Sequence, residues 1–236
     1  MLVLELILQI IVVLLIIMSA ELKYCVRHPT TIIVAGPTQG GKTHFVLRLI
    51  KEQLIQPPPE VIYWVYRHFQ NHVYEVLGEV AHYYSASGSE VKEVLERIFK
   101  GLNKEKRNLL VIDDQMQEAS DSPQLSNLFT EGSHHLNLTV IYVVQNLFQK
   151  GKGQRTANIN THYTVIFRNP RDLSGFHYLA RQLAPGKSRS LVEVFDEATK
   201  TPFSYLCVNC HPLSKRLEKY ATRIFPGEET VFYEPV

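Results

Sequence analysis

The sequence predicts an α/β fold, a central and mostly parallel β-sheet flanked by helices. Short apolar runs alternate with segments of helical spacing along nearly the whole chain, which is how a parallel sheet covered on both faces reads. The runs themselves are β-branched and almost continuously apolar, as in strands buried from both sides. A glycine-containing loop joins the first strong run directly to a helical segment, in "TIIVAGPTQGGKTHFVLRLI", residues 31–50.

Taken in order, the strand-like runs are residues 31–35, 61–66, 109–112, 139–144, 164–167 and 204–208, with a further short strand over 80–84. Helical spacing covers 42–54, 90–101, 123–134, 172–183 and 190–199. "QPPPE", residues 56–60, stops the first helix, because proline lacks the backbone donor and clashes with the preceding turn. With 236 residues and 45% hydrophobic content the chain can build one sizeable core. The expected division is an apolar segment at 1–18 followed by a single domain at 19–236.

Composition excludes little. A net charge of +2 does not announce a nucleic-acid binder, although a machine gripping DNA through pore loops needs no basic surface. Three cysteines argue against a disulfide framework and fit a reducing compartment. Residues 1–18, "MLVLELILQIIVVLLIIM", stand at the lower limit of the ~20 apolar residues that span a bilayer. Glu5, Gln9 and the missing basic flank oppose a secretory signal. Two readings stay open for this segment: a membrane anchor, or an extension ahead of a chain starting at Met18.

"GPTQGGKT", from Gly36 to Thr43, satisfies G-x-x-x-x-G-K-[ST] between a strand and a helix, the context that gives this motif its meaning. The loop of Gly36, Pro37, Thr38, Gln39, Gly40 and Gly41, where a strand has ended and a helix begins, is expected to close around the phosphates and point its backbone N–H groups at their oxygens. Lys42 is expected to reach the β and γ phosphates and Thr43 to ligate Mg²⁺. "NLLVIDDQ" then offers Asp113 for the metal shell at a strand's C-terminal end, where open α/β sheets bind ligands. Asp114 occupies the place where P-loop ATPases of the additional-strand, RecA-like type carry the base that orients the attacking water; helix N-capping is its other reading. "LTVIYVVQN" ends in Gln145, an amide able to donate to a γ-phosphate without competing for the metal. The loop after it, "NLFQKGKGQRTANINTHY", carries Lys150, Lys152 and Arg155.

These residues resemble the viral genome-packaging ATPases of the FtsK/HerA superfamily, especially the poxvirus-type and Maverick (polinton)-type members. The likeness runs from about residue 28 to 226 and includes "HPTTIIVAGPTQGGKT", "LLVIDD", "LFTEGSHHLNLTVIYVVQNLF", "RTANINTHYTVIFRNPRD", "LARQLAPG" and "EATKTPFSYLCV". It implies an ATP-driven motor, a homo-oligomeric ring at a capsid portal or vertex that pulls double-stranded DNA inward, working in the host cell interior or the virion. It also implies Arg155 and Arg171 as candidates for an arginine finger acting across a subunit boundary. Many superfamily relatives carry Glu where this chain has Asp114.

Other readings fit parts of the pattern. A membrane-anchored assembly or extrusion ATPase would use the same motor with residues 1–18 in a bilayer. A P-loop nucleotide or small-molecule kinase accounts for the glycine loop and not for Asp114 and Gln145 on successive strands. "NKEK" at 103–106 misses the guanine-reading N-K-x-D of GTPases. "CVNCH", residues 207–211, matches the haem-attachment pattern, which suits an exported protein and not an ATP user. Cys25, His28, Cys207 and Cys210 offer four zinc ligands by type; buried strand cysteines are the alternative.

Overall fold

The computed structural model describes residues 24–88, 90–113, 126–148 and 152–236. Its parallel strands are β2 (Thr31–Ala35), β4 (Val61–Tyr66), β5 (Ala81–Ser85), β6 (Asn108–Asp113), β7 (Leu138–Val144) and β8 (Tyr163–Phe167). Three antiparallel strands, β9 (Tyr205–Asn209), β10 (Tyr220–Thr222) and β11 (Val231–Tyr233), continue the sheet beyond β8. The order is β11-β10-β9-β8-β2-β7-β6-β4-β5. Strand β7 therefore stands between β2, which feeds the glycine loop, and β6, which ends in Asp113. A separate pair joins β1 (Val26–Arg27) to β3 (Ile55–Gln56).

The continuous apolar runs are explained by burial on both faces. Along β2, Ile33 and Ala35 enter one core while Ile32 and Val34 enter the other. The first core packs against α3 (Glu90–Gly101), α5 (Ser174–Leu183) and α6 (Ser188–Ala198), the second against α1 (Lys42–Lys51) and α2 (Asn71–Leu77). In α3, Val91, Val94, Leu95 and Ile98 are buried at helical spacing. Glu90 accepts from both the backbone N–H and the hydroxyl of Ser87, which fixes the start of that helix.

Several expected elements differ. The first helix ends at Lys51 and not at residue 54: Gln53 takes a left-handed backbone (φ 53°), and Leu54 and Ile55 are buried beside β1. The stretch read as a basic loop after Gln145 contains α4 (Lys152–Asn160), seated by fully buried Ala157 and by the bond from the Asn158 amide to the Leu147 carbonyl. Among the described side chains of α4 only Ala157 is buried, which leaves no helical stripe to read. Strands β10 and β11 and helix α2 were not anticipated. Of the helix expected over 123–134, residues 126–135 are helical, passing through a π-turn at Leu128–Gly132. Residues 114–125 and the segment 1–18 lie outside the described residues, and among the described residues no helix is long and apolar enough to cross a membrane.

Candidate nucleotide site

The glycine loop is shaped by close packing as much as by its ligand chemistry. A Cβ on Gly36 would fall 2.6 Å from Phe167 Cβ, so only glycine lets β2 turn under the end of β8. Gly36 N–H donates to the Val144 carbonyl (3.2 Å), tying the start of the loop to the end of β7. Gly41 leaves the loop at φ 92°, and its carbonyl accepts from Phe45 N–H in the first turn of α1. The Pro37 carbonyl accepts from Gly40 N–H (3.0 Å) and from Lys42 Nζ (2.8 Å), so the lysine arches back across its own loop.

Sheet register brings the acidic strand to the same level. Ala35 pairs with Val144 and Asp113 with Val143, so β2, β7 and β6 end together. The Thr43 hydroxyl donates to Asp113 Oδ2 at 3.3 Å, although the two residues are 70 positions apart. Asp113 is only 3% exposed. A cavity of about 390 Å³ opens here, lined by the loop from Thr38 to Thr43 together with Asp113 and Gln145. Gln70 and His72 also line it, contributed by the connection after β4 and by α2. Nothing in their local sequence pointed to the site; the parallel pairing of β4 with β6 brings them there.

The donor set suits a hard cation. A buried carboxylate and a hydroxyl, both oxygen, face a cavity at a helix N-terminus where a triphosphate's own oxygens would complete the shell. Mg²⁺ would be held by Thr43 and Asp113.

Asp114 lies outside the described residues. Arg155, on α4, and Arg171, after β8, are exposed, and neither lines the cavity. The turn carrying Arg171 is well braced. Its Asn169 side chain accepts from Arg171 N–H, and Asp172 accepts from Ser174 Oγ (2.6 Å), Gly175 N–H and the Asn146 amide (3.1 Å). These bonds, the Ser174 hydroxyl first, hold the Asp172 carboxyl below its usual range. Asp172 thus fixes the start of α5 and links that turn to the residue following Gln145.

The four zinc-type residues do not form a centre. Both ring nitrogens of His28 are engaged, with Thr139 Oγ1 (2.7 Å) and Asn137 Oδ1 (3.0 Å). Cys207 is buried 2.9 Å from the Tyr24 hydroxyl, and burial pushes its thiol up to about 12, away from the thiolate that zinc requires. Among the described residues no group of His, Cys, Asp or Glu is arranged to hold a metal.

No protein-family model matches the sequence, and no curated protein matches it. The structure does have counterparts. The genome packaging NTPase B204 of Sulfolobus turreted icosahedral virus 2, solved in complex with AMP, superposes with a TM-score of 0.56 at 10% identity, over 88% of this chain and 98% of that one. B204 of Sulfolobus turreted icosahedral virus, described as a DNA-packaging ATPase, gives 0.55 at 9% identity over 89% and 98%. The same virus 2 protein in complex with ATP-gammaS gives 0.52 at 10% identity over 88% and 98%. The fold is that of a P-loop NTPase. Strand β7 is the additional strand, inserted between β2 and β6.

Proposed function

We propose that this chain is an ATP-hydrolysing motor that moves double-stranded viral DNA into a capsid, working as a homo-oligomeric ring in the host cell interior or the virion. The observation that carries the reading is the Thr43–Asp113 hydrogen bond at the floor of a glycine-loop cavity. The fold around it is similar to that of viral packaging NTPases, which supports the reading.

The residues divide the work. Loop amides and Lys42 bind and orient the triphosphate, and Thr43 with Asp113 holds Mg²⁺, which when bound neutralises developing charge on the phosphates. Asp114 accepts the proton of the attacking water. Gln145 donates to the γ-phosphate and senses its loss. Arg155 and Arg171 point this reading outward: an exposed arginine away from its own cavity is suited to a neighbour's nucleotide, and Arg171 stands on the better braced turn. Double-stranded DNA and a capsid, portal or vertex protein are the partners.

The test is whether linear duplex DNA stimulates ATP turnover, and only at concentrations where the protein oligomerises. Turnover that ignores DNA at every concentration, in protein shown to be oligomeric, would remove the motor and leave a simple NTPase.

A further inference from the structure

A second and larger cavity, about 740 Å³, adjoins the phosphate site and shares Gly41 and His44 with it. It lies on the other side of α1's first turn, toward β8 and β9, and its walls are aromatic: Phe45, Phe167, Tyr205 and Phe225. These rings pack edge to face, with Phe45 centroids 4.7 Å from Tyr205 and 5.1 Å from Phe225, so the back wall is rigid. Phe203 stands at the mouth. It is 70% exposed and holds a left-handed backbone (φ 64°), a conformation that a bulky side chain adopts at a cost. Its Cδ1 lies 3.4 Å from where a Cβ on Gly41 would be, so the ring rests against the last glycine of the loop.

We infer that Phe203 is the stacking platform for the nucleobase, and that the site accepts adenine and guanine alike while disfavouring pyrimidines. This rests on the phosphate reading of the neighbouring cavity. A triphosphate seated on the loop amides sends its nucleoside away from Asp113, and the aromatic cavity is continuous with the loop on that side. Stacking alone rewards the larger purine face and reads no edge. The buried and half-buried polar groups of the wall are already engaged. Ser204 Oγ donates to the Thr201 carbonyl and Thr222 Oγ1 to the Tyr205 carbonyl. Arg48 is bonded to Glu228 and Glu52 and lies over the Phe225 ring at 4.1 Å. His44, Thr201, Arg223 and Glu229 are exposed, where water competes for their hydrogen bonds.

The experiment measures dissociation constants for Mg²⁺ complexes of ATP, GTP, UTP and inorganic tripolyphosphate on the full chain and on Phe203→Ala and Phe203→Tyr. The expected result is ATP and GTP within about threefold of each other and UTP about tenfold weaker, as stacking differences of this kind give. Phe203→Ala should weaken ATP and GTP about tenfold and leave tripolyphosphate unchanged, with Phe203→Tyr restoring both purines. Equal losses for ATP and tripolyphosphate, or a single base preferred a hundredfold, would overturn the platform and leave the phosphate site standing. Absence of binding by every triphosphate, tripolyphosphate included, would overturn both.

Discussion

The two ends of the parallel strands use similar polar residues for opposite purposes. At the carboxyl ends, Lys42, Thr43, Asp113 and Gln145 line an open cavity. At the amino ends, His28, Thr30, Asn137, Thr139, His162 and the NH₂ group of Asn108 bond to one another and to the backbone. Asn137 donates to the Lys104 and Lys106 carbonyls, which turns its Oδ1 toward His28 Nε2, so that nitrogen carries the proton and Nδ1 accepts from Thr139. Thr30 Oγ1 meets His162 Nδ1 at 2.9 Å, and the Asn108 amide donates to the Asn103 and Lys106 carbonyls. Changes at the carboxyl end should therefore strike turnover and spare the fold, and changes at the amino end the reverse.

The sharpest break of that contrast is Lys42→Ala. Removing the ammonium that arches over the loop should cut ATP turnover by about a hundredfold or more, a loss of ~2.7 kcal/mol in transition-state stabilisation, with an unchanged unfolding midpoint. Steady-state kinetics and urea unfolding on the same preparation check it. Substantial residual turnover would mean that the loop amides suffice.

Gly36→Ala tests the place where site and core meet. The new methyl would lie 2.6 Å from Phe167 Cβ, an atom fixed to the backbone of β8 that cannot rotate away. Relief requires β2 and β8 to separate, at a cost of about 1–3 kcal/mol typical of overpacking. Both readouts should fall together here: a lower urea midpoint and weaker ATP binding. A stable variant that has lost only nucleotide affinity would show that the loop can move independently of the sheet.

How much of this was legible in advance follows the same divide. The strand-loop-helix around Lys42 and the acidic strand end at Asp113 could be read because each is local: a run, a loop and a helix in one stretch. Gln70 and His72 could not, since they reach the cavity only through the pairing of β4 with β6, 41 or more positions away in Asp113's case by sequence count. Phe203 carries no signal of its own in the sequence, because backbone angle and exposure, not residue type, set it apart. Strands β10 and β11 are three residues each, too short for a period to show. The cysteine and histidine spacing at 25–28 and 207–210 suggested a metal by residue type; the partners that engage His28 and Cys207 are distant in sequence.

The mildest change probes the amino end alone. His28→Ala should leave ATP affinity and turnover as they are and cost about 1–3 kcal/mol, since it strips Thr139 and Asn137 of a partner in a partly buried place. The cost should also depend on pH. Burial, the largest influence, lowers the pKa of His28, against the bond to Asn137, which raises it. An unfolded chain takes up this proton near pH ~6.5 and the folded one only at lower pH. Between those two values the unfolded state binds more protons, so the contribution of His28 is complete above pH ~6.5 and shrinks as pH falls. The stability gap between wild type and His28→Ala should accordingly narrow on acidification, as measured by urea unfolding across the range. A gap that widened instead would mean that the imidazole is held as a cation, and that Asn137 outweighs burial.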